Sequence, residues 1–175
     1  KAFSYGSGSF EIANVLQFNR VDYLAVAYAD EGMELRKNGI TLPVMVMNPE
    51  QRSFEAMIQC NLEPEIYSLN LLDRFSEILA LLRSGDNEPY NIHIELETGM
   101  NRLGFNNPEL PVLIEKIKAN HHLRVASVFS HLAASEDKAY DDFTRAQINS
   151  FDEMSKTICN ASQRFRCRSF FKNRS

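Results

Sequence analysis

One run of the sequence combines the residue types needed to bind an anionic oxygen. Residues 95–105 read Glu-Leu-Glu-Thr-Gly-Met-Asn-Arg-Leu-Gly-Phe. They follow residues 91–94, in which polar and apolar side chains alternate as in a β-strand. Gly99 and Gly104 predict a sharp loop after that strand, and the loop carries one arginine, Arg102. Because loops at strand ends often carry binding residues, a guanidinium held there indicates a site for an anionic oxygen.

Two further segments contain side chains that could take part in binding or catalysis. Residues 1–8 read Lys-Ala-Phe-Ser-Tyr-Gly-Ser-Gly, and residues 128–133 read Val-Phe-Ser-His-Leu-Ala. In the first, the glycines let backbone amides approach an anion, and the Tyr5 hydroxyl can donate to a phosphate. Taken singly, Lys1 is most simply a solvated lysine, Tyr5 a loop aromatic and His131 a structural residue. Their neighbours favour a binding site instead.

These three segments, in this order, closely resemble signature motifs of the alanine racemases, enzymes that use pyridoxal phosphate to interconvert L- and D-alanine. The resemblance implies that Lys1 binds the cofactor and exchanges the substrate's α-proton, and that Tyr5 contacts the cofactor phosphate. It implies that Arg102 hydrogen-bonds the cofactor's phenolic oxygen and that His131 lies beside the pyridine ring. It further implies a homodimer, in which Met100 helps receive the substrate carboxylate in the partner's site.

Glu95 departs from the family pattern. By the family resemblance, many alanine racemases carry a lysine at this position, which becomes carbamylated and so presents an anion beside the arginine. A glutamate presents an anion without modification. Strand alternation places Glu95 on the same face as His93 and Glu97. An unpaired buried charge is costly, so we predict that Glu95 supports the site by pairing with Arg102. The alternative is that these acidic residues lie at a solvated strand end.

Strand-like and helix-like segments alternate along most of the chain. The pattern predicts strands at 23–27, 43–47, 65–68, 92–96 and 125–129, and helices at 10–18, 30–38, 49–59, 71–83, 108–120 and 138–159. Such alternation indicates an α/β protein with parallel strands, either a doubly wound sheet or a (β/α)8 barrel. The pattern alone does not separate the two. The family resemblance implies a barrel, and a partial one, because a full barrel takes about 250 residues.

The charge distribution divides the chain. Residues 161–175 carry five basic side chains and no acidic one, whereas residues 1–160 carry 14 basic and 23 acidic side chains. We predict a partial alanine-racemase-like barrel domain over 1–160 and a basic tail without family resemblance over 161–175. Such a tail is typical of disordered segments, so we expect it to lack packed contacts with the strands. The acidic body argues against a nucleic-acid partner.

The composition excludes several other classes of protein. No run approaches the roughly 20 apolar residues of a membrane helix, and no signal peptide is visible, so we predict no membrane partner. The three cysteines, Cys60, Cys159 and Cys167, are odd in number and lack metal-ligand spacing. We therefore predict no metal site and a reduced, cytoplasmic setting.

The sequence thus predicts an isomerase of the alanine racemase type, which by resemblance supplies D-alanine for peptidoglycan synthesis. The resemblance covers under half of a usual family chain, so we expect a fragment that is inactive alone. Racemisation needs a base on each face of the substrate's α-carbon, and the second base, a tyrosine in the family, lies beyond the matching region. A related barrel enzyme, such as a serine racemase or an amino-acid decarboxylase, remains an alternative. A non-catalytic protein, either cofactor-binding or a remnant without activity, is a further alternative. The family resemblance also allows that the segment comes from a protein in which a cell-wall ligase is fused to the racemase.

Overall fold

The computed structural model of the chain describes residues 8–83, 85 and 88–161 and the backbone of 168–169. These residues form two compact units. The first contains the described residues up to Glu65 together with Glu77–Gly85, and the second contains Ile66–Ser76 and the described residues from Glu88 onward. Each unit contains parallel strands that alternate with helices along the chain. The predicted alternation is therefore confirmed.

The first unit is a three-stranded parallel sheet with its helices. Its elements are α1 (Ser9–Phe18), β1 (Leu24–Val26), α2 (Ala29–Lys37), β2 (Val44–Val46), α3 (Phe54–Gln59), β3 (Glu63–Ile66) and the last part of α4 (Leu69–Leu82). β2 pairs with both β1 and β3 in parallel. Its residues Val44 and Val46 are fully buried, as are Phe54 and Met57 of α3. Packing of this helix on the sheet removes the apolar side chains from water, which is the main force that holds the unit together.

Arg36 joins three segments of the first unit through hydrogen bonds to backbone carbonyls. From the last turn of α2, its guanidinium donates to Cys60 O at 3.0 Å and Asn61 O at 3.1 Å, just after α3. It also donates to Ile40 O at 2.9 Å and Leu42 O at 2.8 Å, in the segment that leads to β2. A planar guanidinium with five N–H groups can satisfy several acceptors at once, so Arg36 holds the ends of two helices and a connecting loop together.

We expect Arg36→Met to lower the free energy of unfolding by about 2 kcal/mol. The variant keeps most of the apolar stem but removes the charge-assisted hydrogen bonds and leaves partly buried carbonyls without their donor. Urea unfolding followed by circular dichroism measures the change. Arg52→Met is the matched control, because Arg52 is 84% exposed and pairs only with Glu50 among the described contacts. Equal stability losses in the two variants would contradict this account of Arg36.

The second unit carries the strands that precede the candidate site. Its elements are the first part of α4, β4 (Tyr90–Leu96), α5 (Leu110–Ala119), β5 (Leu123–Ser130), α6 (Asp141–Ala161) and β6 (Arg168–Ser169). β4 pairs with β5 in parallel from Tyr90 opposite Leu123 to Leu96 opposite Ser130. Residues 92–96 are all buried, as expected of a parallel strand covered on both faces.

Two features of the strands differ from the sequence-based expectation. β3 begins at Glu63 and includes Pro64, whereas the pattern predicts a start after the proline. Proline lacks an N–H but keeps its carbonyl, so it does not by itself exclude a paired strand. The register of β4 and β5 also shifts between Ile92 and His93, where β5 has an additional residue, Ala126. An irregularity of this kind bends a strand locally, and no side-chain pattern announces it.

The expectation that residues 161–175 lack contacts with the strands is wrong. α6 continues to Ala161, and the backbone of Arg168–Ser169 forms β6, which pairs in parallel with Ser127 and Val128 of β5. Strand pairing uses backbone N–H and C=O groups, which a sheet edge offers whatever the charge of the incoming segment. The basic composition of the segment is therefore compatible with a paired strand. No helix in the described part of the chain is long and apolar enough to cross a lipid bilayer.

Candidate functional site

The loops that follow β4 and β5 bring two predicted site residues to one edge of the sheet. β4 ends at Leu96 and β5 at Ser130, and these two residues are paired. Arg102 lies in the loop after β4, and His131 is the first residue after β5. Both side chains are exposed. Because carboxyl ends of neighbouring parallel strands share one edge, Arg102 and His131 follow the edge on which barrel enzymes carry their active sites.

The loop after β4 closes back onto the strand that precedes it. The backbone N–H of Phe105 donates to Glu95 O at 2.9 Å, and that of Glu97 donates to Phe105 O at 2.9 Å. Phe105 forms an isolated parallel bridge with Leu96, and its ring is fully buried. Residues 97–105, here called the arginine loop, are therefore anchored at both ends to the same strand. This anchorage fixes the place from which Arg102 extends.

The carboxylate of Glu97 holds the interior of the arginine loop. One oxygen accepts a hydrogen bond from the backbone N–H of Gly99, and the other accepts one from the backbone N–H of Arg102 at 3.2 Å. Burial raises the pKa of Glu97, but hydrogen bonds from the amides of Asn101, Gly99, Arg102 and Met100 outweigh it, and the pKa is lowered. A carboxylate that accepts several amides is stabilised in its charged form. The loop thus depends on an ionised Glu97.

Gly104 occupies a position that no other residue fits. Its φ of 116° lies in the region that favours glycine, and a Cβ there would lie 2.6 Å from Glu97 N and 2.7 Å from the carbonyl carbon of Leu96. Asn101 also has a positive φ, of 56°, which asparagine tolerates better than most residues. Its side chain donates to Gly99 O at 3.2 Å. These backbone conformations explain why the loop can be so tight.

Two hydroxyl groups join the ends of β4 and β5. Ser130 Oγ donates to Leu96 O at 2.7 Å, and it lies 2.7 Å from Thr98 Oγ1. Since a serine hydroxyl has one proton, and Ser130 gives it to the carbonyl, Thr98 donates to Ser130. The start of the arginine loop is thereby fixed to the residue that immediately precedes His131.

Gln147 of α6 contacts the loop on the other side. It is 1% exposed, and its Oε1 accepts from Ala133 N at 3.0 Å while its Nε2 donates to His131 O at 3.2 Å. Sequence reasoning missed this residue. The available signal is its position one turn before Phe151, on the buried face of α6 that continues through Met154 and Ile158. A polar residue on an apolar helix face requires hydrogen-bond partners, and those of Gln147 are two backbone groups of the turn that carries His131.

The predicted pair between Glu95 and Arg102 is not formed. Glu95 is 3% exposed in β4, and its Oε2 has no hydrogen-bond partner among the described residues, which also contain no ion pair between Glu95 and Arg102. The physical reason lies two residues further along. Glu97 already accepts the Arg102 backbone N–H and closes the loop, and the Arg102 side chain stays exposed while Glu95 stays within the strand.

Of the remaining predicted site residues, the structure describes Met100 but not Lys1 or Tyr5. Met100 lies on the arginine loop and is half-buried. Lys1 and Tyr5 fall outside the described residues, so their position relative to Arg102 and His131 stays a prediction. His93, which matches no family motif, is buried in β4, and its Nδ1 lies 2.6 Å from Ser127 Oγ. The described residues contain no group of three or more His, Cys, Asp or Glu side chains that could hold a metal ion.

Comparison with known proteins identifies relatives of the same type. The chain matches the family described as "Alanine racemase, N-terminal domain" over residues 1–171, which extends beyond the predicted end of the resemblance at residue 160. An alanine racemase of Clostridium kluyveri is 38% identical over 144 residues, covering 80% of this chain and 36% of the relative. One of Clostridium tetani is 36% identical over 165 residues, covering 92% of this chain and 40% of the relative.

Solved structures agree with the sequence relatives. The alanine racemase of Clostridium difficile 630 superimposes with a TM-score of 0.83 at 31% identity, over 94% of this chain and 45% of that one. The chain thus spans less than half the length of these relatives. The predicted partial (β/α)8 barrel is confirmed by this likeness. The chain therefore belongs to the alanine racemase N-terminal domain family.

Proposed function

We propose that the full-length protein is a pyridoxal-phosphate-dependent alanine racemase that interconverts L- and D-alanine. The observation that carries the proposal is the arginine loop, which anchors an exposed guanidinium at the carboxyl end of a barrel strand, in a chain that matches the family over residues 1–171. The matched relatives bear the name alanine racemase, and one solved structure is of an alanine racemase in complex with cycloserine.

The described donor groups fit an anionic aromatic cofactor. No carboxylate in the described part of the chain lies within ion-pair distance of the Arg102 guanidinium, and Glu97 is engaged by backbone amides instead. Arg102 can therefore present its N–H groups to a phenolic oxygen. His131 is exposed at the end of the paired strand and can lie against a ring. A guanidinium and an imidazole at one edge suit such a ligand because both can donate hydrogen bonds to anionic or polar ring substituents.

The proposed roles follow the family resemblance. When bound, pyridoxal phosphate supplies an electron sink that stabilises negative charge at the substrate's α-carbon. Lys1 would hold the cofactor covalently and move the α-proton on one face of that carbon, and Tyr5 would donate to the phosphate. Arg102 would donate to the phenolic oxygen. Because racemisation needs a base on each face and the resemblance assigns one in this chain, we expect the 175 residues alone not to racemise alanine.

The proposal extends to assembly and to the use of the product. We propose a homodimer, in which Met100 of one protomer serves the partner's substrate site, and we propose that the D-alanine made is used in peptidoglycan synthesis. Met100 lies on the same anchored loop as Arg102, so one rigid loop would support both sites.

The experiment uses the purified full-length protein. We expect bound pyridoxal phosphate by absorbance, attachment of the cofactor to Lys1 after borohydride reduction and peptide mapping, and racemisation of alanine faster than of serine. Light scattering on the same sample gives the molar mass, for which we expect a dimer. Cofactor on another lysine, or none, would refute the role of Lys1. Faster conversion of serine, or decarboxylation of a basic amino acid, would establish one of the related activities instead.

A further inference from the structure

The side chain of Gln147 lies beside both loops of the candidate site. Its two polar atoms bond to the backbone on either side of Leu132, one to His131 O and the other to Ala133 N. A Cβ added to Gly99 would lie 3.4 Å from the Cγ of Gln147 and 3.3 Å from the Cζ of Phe143. Gln147 therefore lies between the turn that carries His131 and the loop that carries Arg102.

The chemistry of the contact favours an amide over other side chains. The turn offers an acceptor, the carbonyl of His131, and a donor, the N–H of Ala133, and a primary amide supplies the matching donor and acceptor from one planar group. Because Gln147 is 1% exposed, water does not replace either bond readily, and each bond left unmade would leave a desolvated polar group. The turn is thus held by two bonds that fix its position and its orientation relative to α6.

The Cγ of Gln147 and the ring of Phe143 lie beside Gly99 of the arginine loop. The approach of Gly99 to Phe143 and Gln147 leaves no room for a larger residue without a shift of a few tenths of an ångström. α6 contacts both loops at one residue, while Thr98 and Ser130 connect the same loops at the strand ends. The two loops are therefore connected by a hydroxyl bridge at the strand ends, and both lie beside Gln147 of α6.

We propose that Gln147 is a positioning residue, which holds the His131 turn at a fixed spacing from the Arg102 loop. The catalytic part of this inference rests on the proposed function, because it assumes that both residues contact pyridoxal phosphate. The positional part does not, since it concerns hydrogen bonds within the chain.

Gln147→Met in the full-length protein tests the proposal, because methionine has a similar length and shape but neither donates to His131 O nor matches the amide's acceptor. Asn149→Leu is the matched control, since Asn149 is an exposed amide on the same helix. Amide exchange followed by mass spectrometry on a peptide that contains Ala133 reports the lost bond directly. We expect exchange at Ala133 to accelerate about tenfold in Gln147→Met and to stay unchanged in Asn149→Leu.

The cofactor and steady-state kinetics give the second readout. We expect Gln147→Met to keep full cofactor content, to shift the absorbance maximum of the bound cofactor, and to lower kcat about tenfold with less than about a threefold change in KM. A stability defect alone would lower the amount of folded enzyme but would not shift the spectrum. If Gln147→Met does not fold, Gln147→Glu serves as the second variant, since it keeps the acceptor for Ala133 N and the shape of the side chain. It should then retain protection of Ala133 while lowering kcat.

The outcomes separate this proposal from the proposed function. A wild-type protein without cofactor or racemase activity overturns the proposed function, while the exchange of Ala133 still tests the positioning role. Unchanged exchange and an unchanged spectrum in Gln147→Met, in a wild-type protein that binds cofactor and racemises alanine, overturn the role of Gln147 alone.

Discussion

In the full-length protein, Gly104→Ala should abolish the proposed racemase activity and lower the free energy of unfolding by about 4 kcal/mol. The added Cβ would lie 2.6 Å from Glu97 N and 2.7 Å from the Leu96 carbonyl carbon, and both are backbone atoms where β4 meets the arginine loop, which cannot rotate away. The φ of 116° adds a conformational penalty of about 1–3 kcal/mol for any residue with a Cβ. Relief of the clash requires breaking the pairing of Phe105 with Glu95 and Glu97, and Arg102 would then lose its fixed position.

Gly39→Ala is the matched control for that prediction. Gly39 also has a positive φ, of 85°, but nothing lies within 4 Å of where its Cβ would be. It therefore carries the conformational penalty without the clash, and we expect a loss of about 1 kcal/mol with unchanged activity. Thermal unfolding and a racemase assay on the full-length protein measure both effects. Similar losses in the two variants would show that backbone strain alone, and not the approach of Gly104 to Glu97, decides the result.

The order of strands and helices was open to prediction because each element buries one face. The pattern predicts a strand at 92–96, and β4 runs from Tyr90 to Leu96. It likewise predicts a helix at 30–38, and α2 runs from Ala29 to Lys37, with Gly39 in the left-handed conformation beyond its end. Hydrophobic periodicity and helix-ending glycines depend on interactions between residues that are near in sequence. They can therefore be recognised in the sequence itself.

We predicted a pair between Glu95 and Arg102, whereas the glutamate that contacts the loop is Glu97, through the backbone N–H of Arg102. Glu95 and Glu97 lie two residues apart, so strand alternation gives both the same face and does not distinguish them. The distinction arises where the strand ends, at Leu96. Glu97 is the first residue beyond it, so its side chain can turn into the loop, whereas Glu95 remains fixed in the paired strand. The pattern predicted that strand end, but the backbone amides of Gly99 and Arg102 that Glu97 accepts come from the fold of the loop, which no local pattern records.

Gln147 and β6 escaped prediction because both depend on contacts between distant segments. The partners of Gln147 lie 14 and 16 residues earlier in the chain, across the turn after β5. β6 pairs with β5 through backbone groups, so the basic side chains of its segment gave no indication of it. In contrast, the placement of Arg102 and His131 after strand ends followed from two local motifs. Local patterns thus identify what a site contains, while tertiary contacts determine what holds it in place.

In the full-length protein, Glu97→Gln should lower kcat of the proposed racemase activity about a hundredfold while the protein stays folded at neutral pH. In the wild type, two carboxylate oxygens accept the backbone N–H groups of Gly99 and Arg102. In the variant one of those oxygens becomes an NH2 group, which faces a backbone donor and cannot accept from it. The loop must then open on one side, and a displacement of about 1 Å at Arg102 is enough to cost two orders of magnitude in rate.

The variant should also remove a pH dependence of stability. The pKa of Glu97 is lowered in the folded protein relative to its usual value of 4.5, because amide hydrogen bonds outweigh the effect of burial. A lowered pKa means that the carboxylate stabilises the fold fully above pH 4.5 and that this contribution is lost as the pH falls through the folded-state pKa. The stability difference between wild type and Glu97→Gln should therefore be constant near neutral pH and shrink below pH 4.5.

Urea unfolding between pH 3 and about pH 7 measures that difference, with Glu115→Gln as the control. Glu115 is 77% exposed, and its ion pair with Lys118 is long, at 3.8 Å, and open to solvent. Neutralising Glu115 should therefore change stability little at any pH. The kinetic assay at neutral pH distinguishes an effect on the arginine loop from an effect on global stability, because Glu97→Gln should lower kcat at a pH where most of the protein is folded. A stability difference that is independent of pH, together with an unchanged kcat, would show that the ionised carboxylate of Glu97 does not hold the arginine loop.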